Sequence, residues 1–439
     1  MNNAARIECS KCLMPFEEKF INPQGQCVIC HEHSKKWLNR DYKQAEAELI
    51  NIFNHYKKRN QNKQYDCIVA FSGGKDSVYA LYLVKKKYGL RPLAVTADNG
   101  LLTQRALKNM KTVVDSLGVD HLIFSQDQEE LKSLYRAYFK KTKNFCDICY
   151  LTISTSLGRA ALEHDVPLLI TGFAFKVDSS HFRSEPRYCF EDSFVRIINE
   201  TITEDVYSKY LTKKIRAENP FHLLHLFDYV DHVEVDIYKV LEDELGWDSN
   251  NKDDKHSDCR FHDMCGYLRW LSNDLTSLVF MTPASLLRDG QITREQFDEM
   301  ASKQETLFQN VDQKQLEDFL EFFDIDHDFL KTSTDKPVLA EPVVGEKDFA
   351  PLVAAKTAHS ENKSQLLQML VDIIRPEIQR DGGNVDILAF QDNLLKIKLS
   401  GACRGCQIAD QVMIRYLEYL VRKYISDDIV IENTKELVP

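Results

Sequence analysis

The stretch Ile68-Val69-Ala70-Phe71-Ser72-Gly73-Gly74-Lys75-Asp76-Ser77 decides the fold. Residues 67–71 are apolar and read as a buried strand. Two glycines make a tight turn, and residues 76–84 carry apolar side chains at helical spacing. A glycine turn lets backbone approach a ligand closely. The helix start aims unpaired N–H groups and the positive end of its dipole at the same point. Such a turn cradles phosphate. It differs from the Walker A loop, which needs four residues between its first glycine and Gly-Lys-Ser/Thr.

Working outward, strands and helices alternate to about residue 178. A strand at 93–97 ends in Asp98-Asn99-Gly100, and a helix at 103–117 stops at Gly118. A strand at 121–124, a long helical stretch and a strand at 168–171 ending at Gly172 follow. This pattern predicts an α/β fold with a doubly wound, Rossmann-like parallel sheet. Ligands in such sheets sit at the carboxyl ends of the strands, so residues 72–77, Asp98 and Gly172 are expected to converge.

The chain's 439 residues allow two to four domains, and a hydrophobic content of 44% supports true cores. No run of about 18 apolar residues exists to span a membrane. The first residues lack the apolar core of a secretion signal, which points to the cytoplasm. A net charge of −11 argues against a broadly basic nucleic-acid surface. Eight of the 12 cysteines form Cys-x-x-Cys pairs: Cys9/Cys12, Cys27/Cys30, Cys146/Cys149 and Cys403/Cys406. Without a secretory context, that pattern means thiolate–metal chemistry rather than disulfides. Cys67, inside the first strand, reads as a small core residue.

Residues 6–34 form the first unit, where Cys9, Cys12, Cys27 and Cys30 are expected to close one tetrahedral Zn²⁺ site. His31 and His33 read as surface residues. Residues 35–64 read as a helical connector with a basic, solvated face. The α/β domain is expected over 65–330. Within it Cys146 and Cys149 fall just before a helix at 151–164, whose dipole favours thiolates and metal binding. Two thiolates need a third partner. Cys259 or Cys265 could supply it, with Cys189 a weaker candidate, and His256 and His262 are alternative zinc ligands. Residues 331–362, with three prolines and no steady periodicity, read as a linker. Residues 363–439 form a small α+β domain: a helix at 366–374 ending near Pro376, then Asp381-Gly382-Gly383, a strand at 393–399, the loop Gly401-Ala402-Cys403-Arg404-Gly405-Cys406 and a helix at 408–424.

The spelling Ser72-Gly73-Gly74-Lys75-Asp76-Ser77 resembles the PP-loop of ATP pyrophosphatases, which adenylate a substrate oxygen and replace AMP with nitrogen or sulfur. The resemblance implies ATP with Mg²⁺ held by Ala70, Ser72, Gly73, Gly74, Asp76, Ser77, Thr96, Asp98 and Gly172, and catalysis by Lys75, Asp76 and Ser77. Two branches are similar. The opening Cys-x-x-Cys-Leu-Met-Pro, the run from Leu241 to Trp247 and the run from Asp289 to Glu295 resemble N-acetyl sugar amidotransferases, which take ammonia from a partner glutaminase. Cys146 and Cys149 after the third strand, with distant Cys259, resemble cluster-dependent tRNA thiolation enzymes, whose three cysteines hold a 4Fe–4S cluster with one open iron. The stretch after Gly172 lacks the Gly-His-x-x-Asp-Asp those thiolases carry. The tail, with Asp-Gly-Gly-x-Val and Gly-x-Cys-x-x-Cys, resembles the NifU-type scaffold domain. That likeness implies a homodimer sharing one 4Fe–4S cluster through Cys403 and Cys406.

Three functions follow from these resemblances. One is an ATP-dependent sulfurtransferase, with a small-molecule or RNA acceptor and a sulfur donor. The second is a sugar amidotransferase. The third is a cluster carrier whose loop has lost catalysis.

Overall fold

The structure is a computed structural model. It describes residues 6–18, 21–177, 190–218, 221–248, 258–271, 278–332, 346–358, 362–380, 382–404 and 409–434. Cys189, His256 and Cys406 lie outside the described residues. The chain divides into two compact units. One takes the described residues within 1–149, 170–182 and 224–335, the other those within 150–169, 183–223 and 336–439.

The strands are β1 (Arg6–Glu8), β2 (Pro15–Glu17), β3 (Cys67–Ala70), β4 (Pro92–Asp98), β5 (Asp120–Ser125), β6 (Leu168–Thr171), β7 (His222–His225), β8 (Gly383–Gln391), β9 (Leu394–Gly401) and β10 (Val430–Asn433). Five of them make one sheet in the order β5-β4-β3-β6-β7. β3 pairs in parallel with β4 (Cys67 opposite Pro92), and β4 with β5 (Leu93 opposite Asp120). The chain leaves β3 on one side for β4 and β5, then returns on its other side as β6 and β7. The boundary between β3 and β6 is therefore the switch point, where an α/β sheet opens its crevice. β3, β4 and β6 are apolar and buried, whereas the edge strand β5 alternates with exposed residues. Cys67 is fully buried in β3, as a core residue should be.

The helix after the glycine turn spans Lys75–Tyr82 and is extended by a π turn, Leu83–Lys87. Helix Gln104–Leu117 starts on the Thr103 hydroxyl, which accepts from Ala106 N, and stops at left-handed Gly118. The connector at 35–64 holds one helix, Tyr42–Arg59; the preceding helix, Val28–Lys36, ends at its start. Asp41 starts the connector helix by accepting from the Lys43 and Gln44 amides at 3.0 and 3.1 Å. The four-cysteine unit pairs β1 with β2. It packs Met14 and Phe16 against Ala284 and Phe297 of helices Leu278–Asp289 and Arg294–Gln309.

In the tail, β8 and β9 form a hairpin turned by Asp392 and Asn393, both at positive φ, as a two-residue primed turn requires. β10 adds in parallel to β9, a strand the sequence reading lacked. Two further expectations fail here. Residues 346–358, read as linker, are helical, and Phe349 and Leu352 enter the tail's core beside Leu370 and Leu417. The first tail helix runs Lys363–Arg380 and passes through Pro376. Ile374 and Ile378, on either side of the proline, are buried in the same core, and that packing outweighs the lost backbone bond.

Candidate functional site

The glycine turn follows β3 at the switch point. Gly73 sits at φ +78, a region that favours glycine, and a side chain there would strike the Ala106 carbonyl. The Ser77 hydroxyl closes the turn: it donates to Gly74 O at 2.9 Å and accepts from Ser72 N at 3.2 Å. The Ser72 and Ser77 hydroxyls are 3.2 Å apart. Gly172, at the end of β6, leaves no room for a side chain, since a Cβ would lie 2.6 Å from the Asp76 carbonyl oxygen. Residues 72–77 and Gly172 therefore meet as the strand ends required. At the end of β4, Asp98 accepts from Ser125 Oγ at 2.9 Å and from Gly100 N at 3.2 Å. Thr96 is buried, and its hydroxyl is spent on the Phe71 carbonyl and His121 Nε2 beneath the turn.

Side chains from far along the chain brace this turn. Lys75 is buried, with Nζ 2.7 Å from Asp76 Oδ1 and 3.4 Å from Glu234 Oε1. Burial pulls the lysine's pKa down, but the carboxylates of Asp76 and Glu234 outweigh it and hold Lys75 above the ordinary lysine value. Burial likewise works to raise Asp76, and the charges of Lys75 and His232 hold it well below the carboxylate range. His232, fully buried, places Nε2 2.7 Å from Asp76 Oδ1. Trp247 donates its indole N–H to Gly73 O at 2.9 Å. In the sequence the run from Leu241 to Trp247 is marked only by its resemblance, and His232 and Glu234 carry no signal.

The second group of thiols lies at the start of helix Cys146–Glu163. Cys146 and Cys149 occupy its first turn rather than preceding it, because the Asn144 side chain accepts from Asp147 N and opens the helix early. Cys146 Sγ lies 3.4 Å from Cys265 Sγ, and Asn99 Nδ2 donates to Cys149 Sγ at 2.9 Å. Burial pushes the Cys149 thiol up to about 12, and the neighbouring Cys146 adds to the shift. Burial also pushes Cys259 well up, with Cys149 and Cys146 as charged neighbours. Cys265 thus touches Cys146, while Cys259 lies near enough to Cys149 and Cys146 to be influenced by them. Cys259 is stitched to the end of β4: it bridges Leu102, and Arg260 N donates to Leu101 O at 2.9 Å. Asp258, one residue earlier, reaches the phosphate turn, where a side chain on Gly74 would meet its carboxylate at 3.2 Å. An all-sulfur donor set fits an iron–sulfur cluster rather than an oxygen-seeking cation. Thiols this buried ionise only beside positive charge.

Cys9, Cys12, Cys27 and Cys30 make a tighter site. All four are fully buried, and their sulfurs lie within 4.8 Å of one another. Cys9 to Cys30 and Cys12 to Cys27 are each 3.7 Å. A tetrahedral site with metal–sulfur bonds of about 2.3 Å has edges of about 3.8 Å, so these four cysteines form a metal site for a single ion. The Cys27 and Cys30 amides donate to Cys9 and Cys27 Sγ. Arg288, almost wholly buried, lies against Cys12 and Cys30. His33, expected at the surface, is buried with Nε2 3.1 Å from Asp289 Oδ1. Asp289 also holds Lys176 Nζ at 2.9 Å and Gln291 Nε2 at 2.8 Å. Gln291 reaches on to the loop that braces the phosphate turn: Nε2 donates to His232 O at 2.9 Å, and Oε1 accepts from Glu234 N at 3.0 Å.

In the tail, Gly382 and Gly383 lie under the cysteine loop. Ala402 N donates to Gly382 O at 2.9 Å, and a Cβ on Gly383 would collide with Cys403 Sγ. That contact is the physical reason for glycine at position 383.

Turn, strand order and crevice define a PP-loop ATP-pyrophosphatase-like α/β domain, preceded by a four-cysteine metal site and followed by a NifU-like domain. The NifU-like domain family matches residues 367–432. An uncharacterized protein of Methanocaldococcus jannaschii is 32% identical over 180 residues, 40% of this chain and 62% of the relative. Nitrogen fixation protein NifU 1 of Rhodobacter capsulatus is 32% identical over 87 residues, 18% of this chain and 61% of the relative. The chain thus spans less than two thirds of either relative. Among solved structures, the U34-tRNA thiolase NcsA of Methanococcus maripaludis with its 4Fe–4S cluster is similar at TM-score 0.33 and 15% identity, over 71% of this chain and 90% of that one. NMN synthetase of Francisella tularensis is similar at TM-score 0.30 and 13% identity, over 69% and 100%. At these scores the likeness adds nothing to what strand order and loop already carry. Among the described residues no helix is long and apolar enough to cross a membrane.

Proposed function

We propose that the chain is an ATP-dependent sulfurtransferase. It adenylates an oxygen of a small-molecule or RNA acceptor, then replaces AMP with sulfur. One observation carries this reading. Asp258 and Cys259 are consecutive: the Asp258 carboxylate reaches the phosphate turn, and Cys259 lies near Cys149 and Cys146. Sulfur chemistry and nucleotide chemistry are one residue apart.

The turn amides and the start of helix Lys75–Tyr82 hold the ATP phosphates, with Mg²⁺ as counter-charge. Gly172 lets the end of β6 pack directly on the Asp76 backbone, which holds the turn in place. The acceptor oxygen attacks the α phosphorus and pyrophosphate leaves. Hydrosulfide then attacks the activated carbon, and AMP leaves with the oxygen. Asp76, held ionised by Lys75 and His232, and the Ser77 hydroxyl order the turn for the first step. Cys146, Cys149 and Cys259 would hold a 4Fe–4S cluster, which when bound supplies a binding position for sulfide. Zn²⁺ suits Cys9, Cys12, Cys27 and Cys30, a closed site with a structural role. The tail would carry a cluster between two chains through Cys403 and Cys406, and deliver it.

The test is anaerobic ATP- and sulfide-dependent sulfur incorporation into candidate acceptors, with AMP counted. Full incorporation after Cys146→Ala and Cys149→Ala would remove the cluster from the mechanism. A sugar amidotransferase is the second reading, favoured by Trp247 and Gln291, which lie in the amidotransferase-like runs and brace the turn. Ammonia-dependent, sulfide-independent AMP release with a sugar acceptor would select it.

A further inference from the structure

Asp289 ends helix Leu278–Asp289 and follows Arg288, the residue that lies against Cys12 and Cys30. Its carboxylate is almost fully buried, and a second strut joins it to the same metal site. His33 sits one turn after Cys30 on helix Val28–Lys36 and places Nε2 3.1 Å from Asp289 Oδ1. Asp289 is thus tied to the four-cysteine site twice, once along the chain and once through space.

Two routes lead on from Asp289 to His232. Asp289 Oδ2 accepts from Gln291 Nε2 at 2.8 Å, and the same amide donates to His232 O at 2.9 Å. Lys176 Nζ lies 2.9 Å from Asp289 Oδ2 and 2.6 Å from Asp231 Oδ1, which accepts from His232 N at 2.9 Å. Both backbone groups of His232 are therefore held from the Asp289 side. Its imidazole holds Asp76 at 2.7 Å, and Gln291 Oε1 fixes the amide of Glu234, whose carboxylate faces Lys75 at 3.4 Å. The Asp289, Lys176 and His232 side chains are all buried. A buried carboxylate keeps its place only while its partners keep theirs, because losing one leaves charge uncompensated.

We propose that Asp289 is a positioning residue for the phosphate turn, through which the ion at Cys9, Cys12, Cys27 and Cys30 and the nucleotide each tighten the other's hold. It rests on the turn taking ATP, whichever group is then transferred. An ion that draws Cys12 and Cys30 together seats Arg288 and His33. These seat Asp289, and Asp289 seats His232 against Asp76. Coupling between binding sites is reciprocal, so ATP at the turn must strengthen retention of the ion by the same factor.

The test uses the full chain, iron-free, with one equivalent of Zn²⁺. Zinc affinity is measured by competition with a chromophoric chelator at matched free Zn²⁺, without nucleotide and with saturating Mg·ATP. A residue that merely supports the fold would leave that affinity independent of nucleotide. The parent should hold zinc about fivefold or more tightly with ATP bound. Gln291→Ala cuts the network on the turn side, and His33→Ala cuts it on the cysteine side. Each should lose most of the difference, with ATP binding itself followed by calorimetry. Equal zinc affinity with and without nucleotide, in a parent that binds ATP, would overturn the proposal. Full coupling in both variants would overturn Asp289 as its carrier. A parent that binds no ATP would overturn the nucleotide reading of the turn along with it.

Discussion

The two thiol groups of the α/β unit use the same residue type to opposite ends. Cys9, Cys12, Cys27 and Cys30 are fully buried, paired at 3.7 Å, fed by two backbone amides and backed by the buried Arg288. Cys146, Cys149, Cys259 and Cys265 are only partly buried, with one sulfur–sulfur contact of 3.4 Å and the Asn99 amide on Cys149. The first set is sized for one ion and closed to solvent, which is how a site that builds fold is made. The second is only partly buried and neighbours Asp258, whose carboxylate reaches the phosphate turn; under the function proposed above it would take a larger group.

The largest expected effect separates the two outright. Cys12→Ser should abolish ion binding and unfold the N-terminal unit. Metal binding to such sites is folding free energy, on the order of 10 kcal/mol. Cys149→Ser should leave thermal unfolding within a few degrees of the parent while losing iron. Metal analysis and calorimetry on both variants check this, and equal destabilisation would erase the distinction.

Next comes His232→Ala. It removes the imidazole from Asp76 and should lower AMP formation about 10- to 100-fold, since hydrogen bonds to charged groups contribute about 1.5–3 kcal/mol. Asp76 is held below its ordinary value, so its contribution to stability is present above the unfolded carboxylate value and lost as pH falls through the depressed one. The variant's acid unfolding midpoint should accordingly move to higher pH.

Gln291→Ala tests whether the closed site also props the open one. It deletes the bonds to His232 O, Glu234 N and Asp289 while leaving all eight thiols in place. AMP formation should fall about tenfold with bound metal unchanged, for a loss of about 1–1.5 kcal/mol.

The smallest effect is at Asn99. Asn99→Ala removes the donor that eases ionisation of Cys149. In iron-free protein, alkylation of Cys149 should slow about threefold at every pH below about 12, with its pH profile shifted upward. The folded Cys149 thiol lies above its ordinary value, so iron-free stability should also decline as pH rises from the ordinary thiol range toward that value.

What the sequence disclosed was local. Strand, glycine turn and helix at 67–84 carry their periodicity and chemistry within a few residues, and the alternation of strands and helices predicts the doubly wound sheet, though not its strand order. The cysteine pairs announced themselves by spacing. His232, Glu234 and Asp258 were silent because each reaches the turn across more than 150 residues, and nothing in an isolated loop marks its partner. His33 looked like a surface residue for the same reason, since Asp289 supplies its burial from a distant helix. At Pro376 the local rule predicts a stop. Only the packed core around Ile374 and Ile378 reveals that the helix continues.

A peptide unit is a rigid plate. The Asp258 carboxylate and the Cys259 sulfur hang from its two sides. If the turn takes nucleotide and the thiols take iron as proposed, the two ligands would meet across this one plate, and any coupling between them would be equal in both directions. The colour of the iron would then change on adding nucleotide alone, before any acceptor is present.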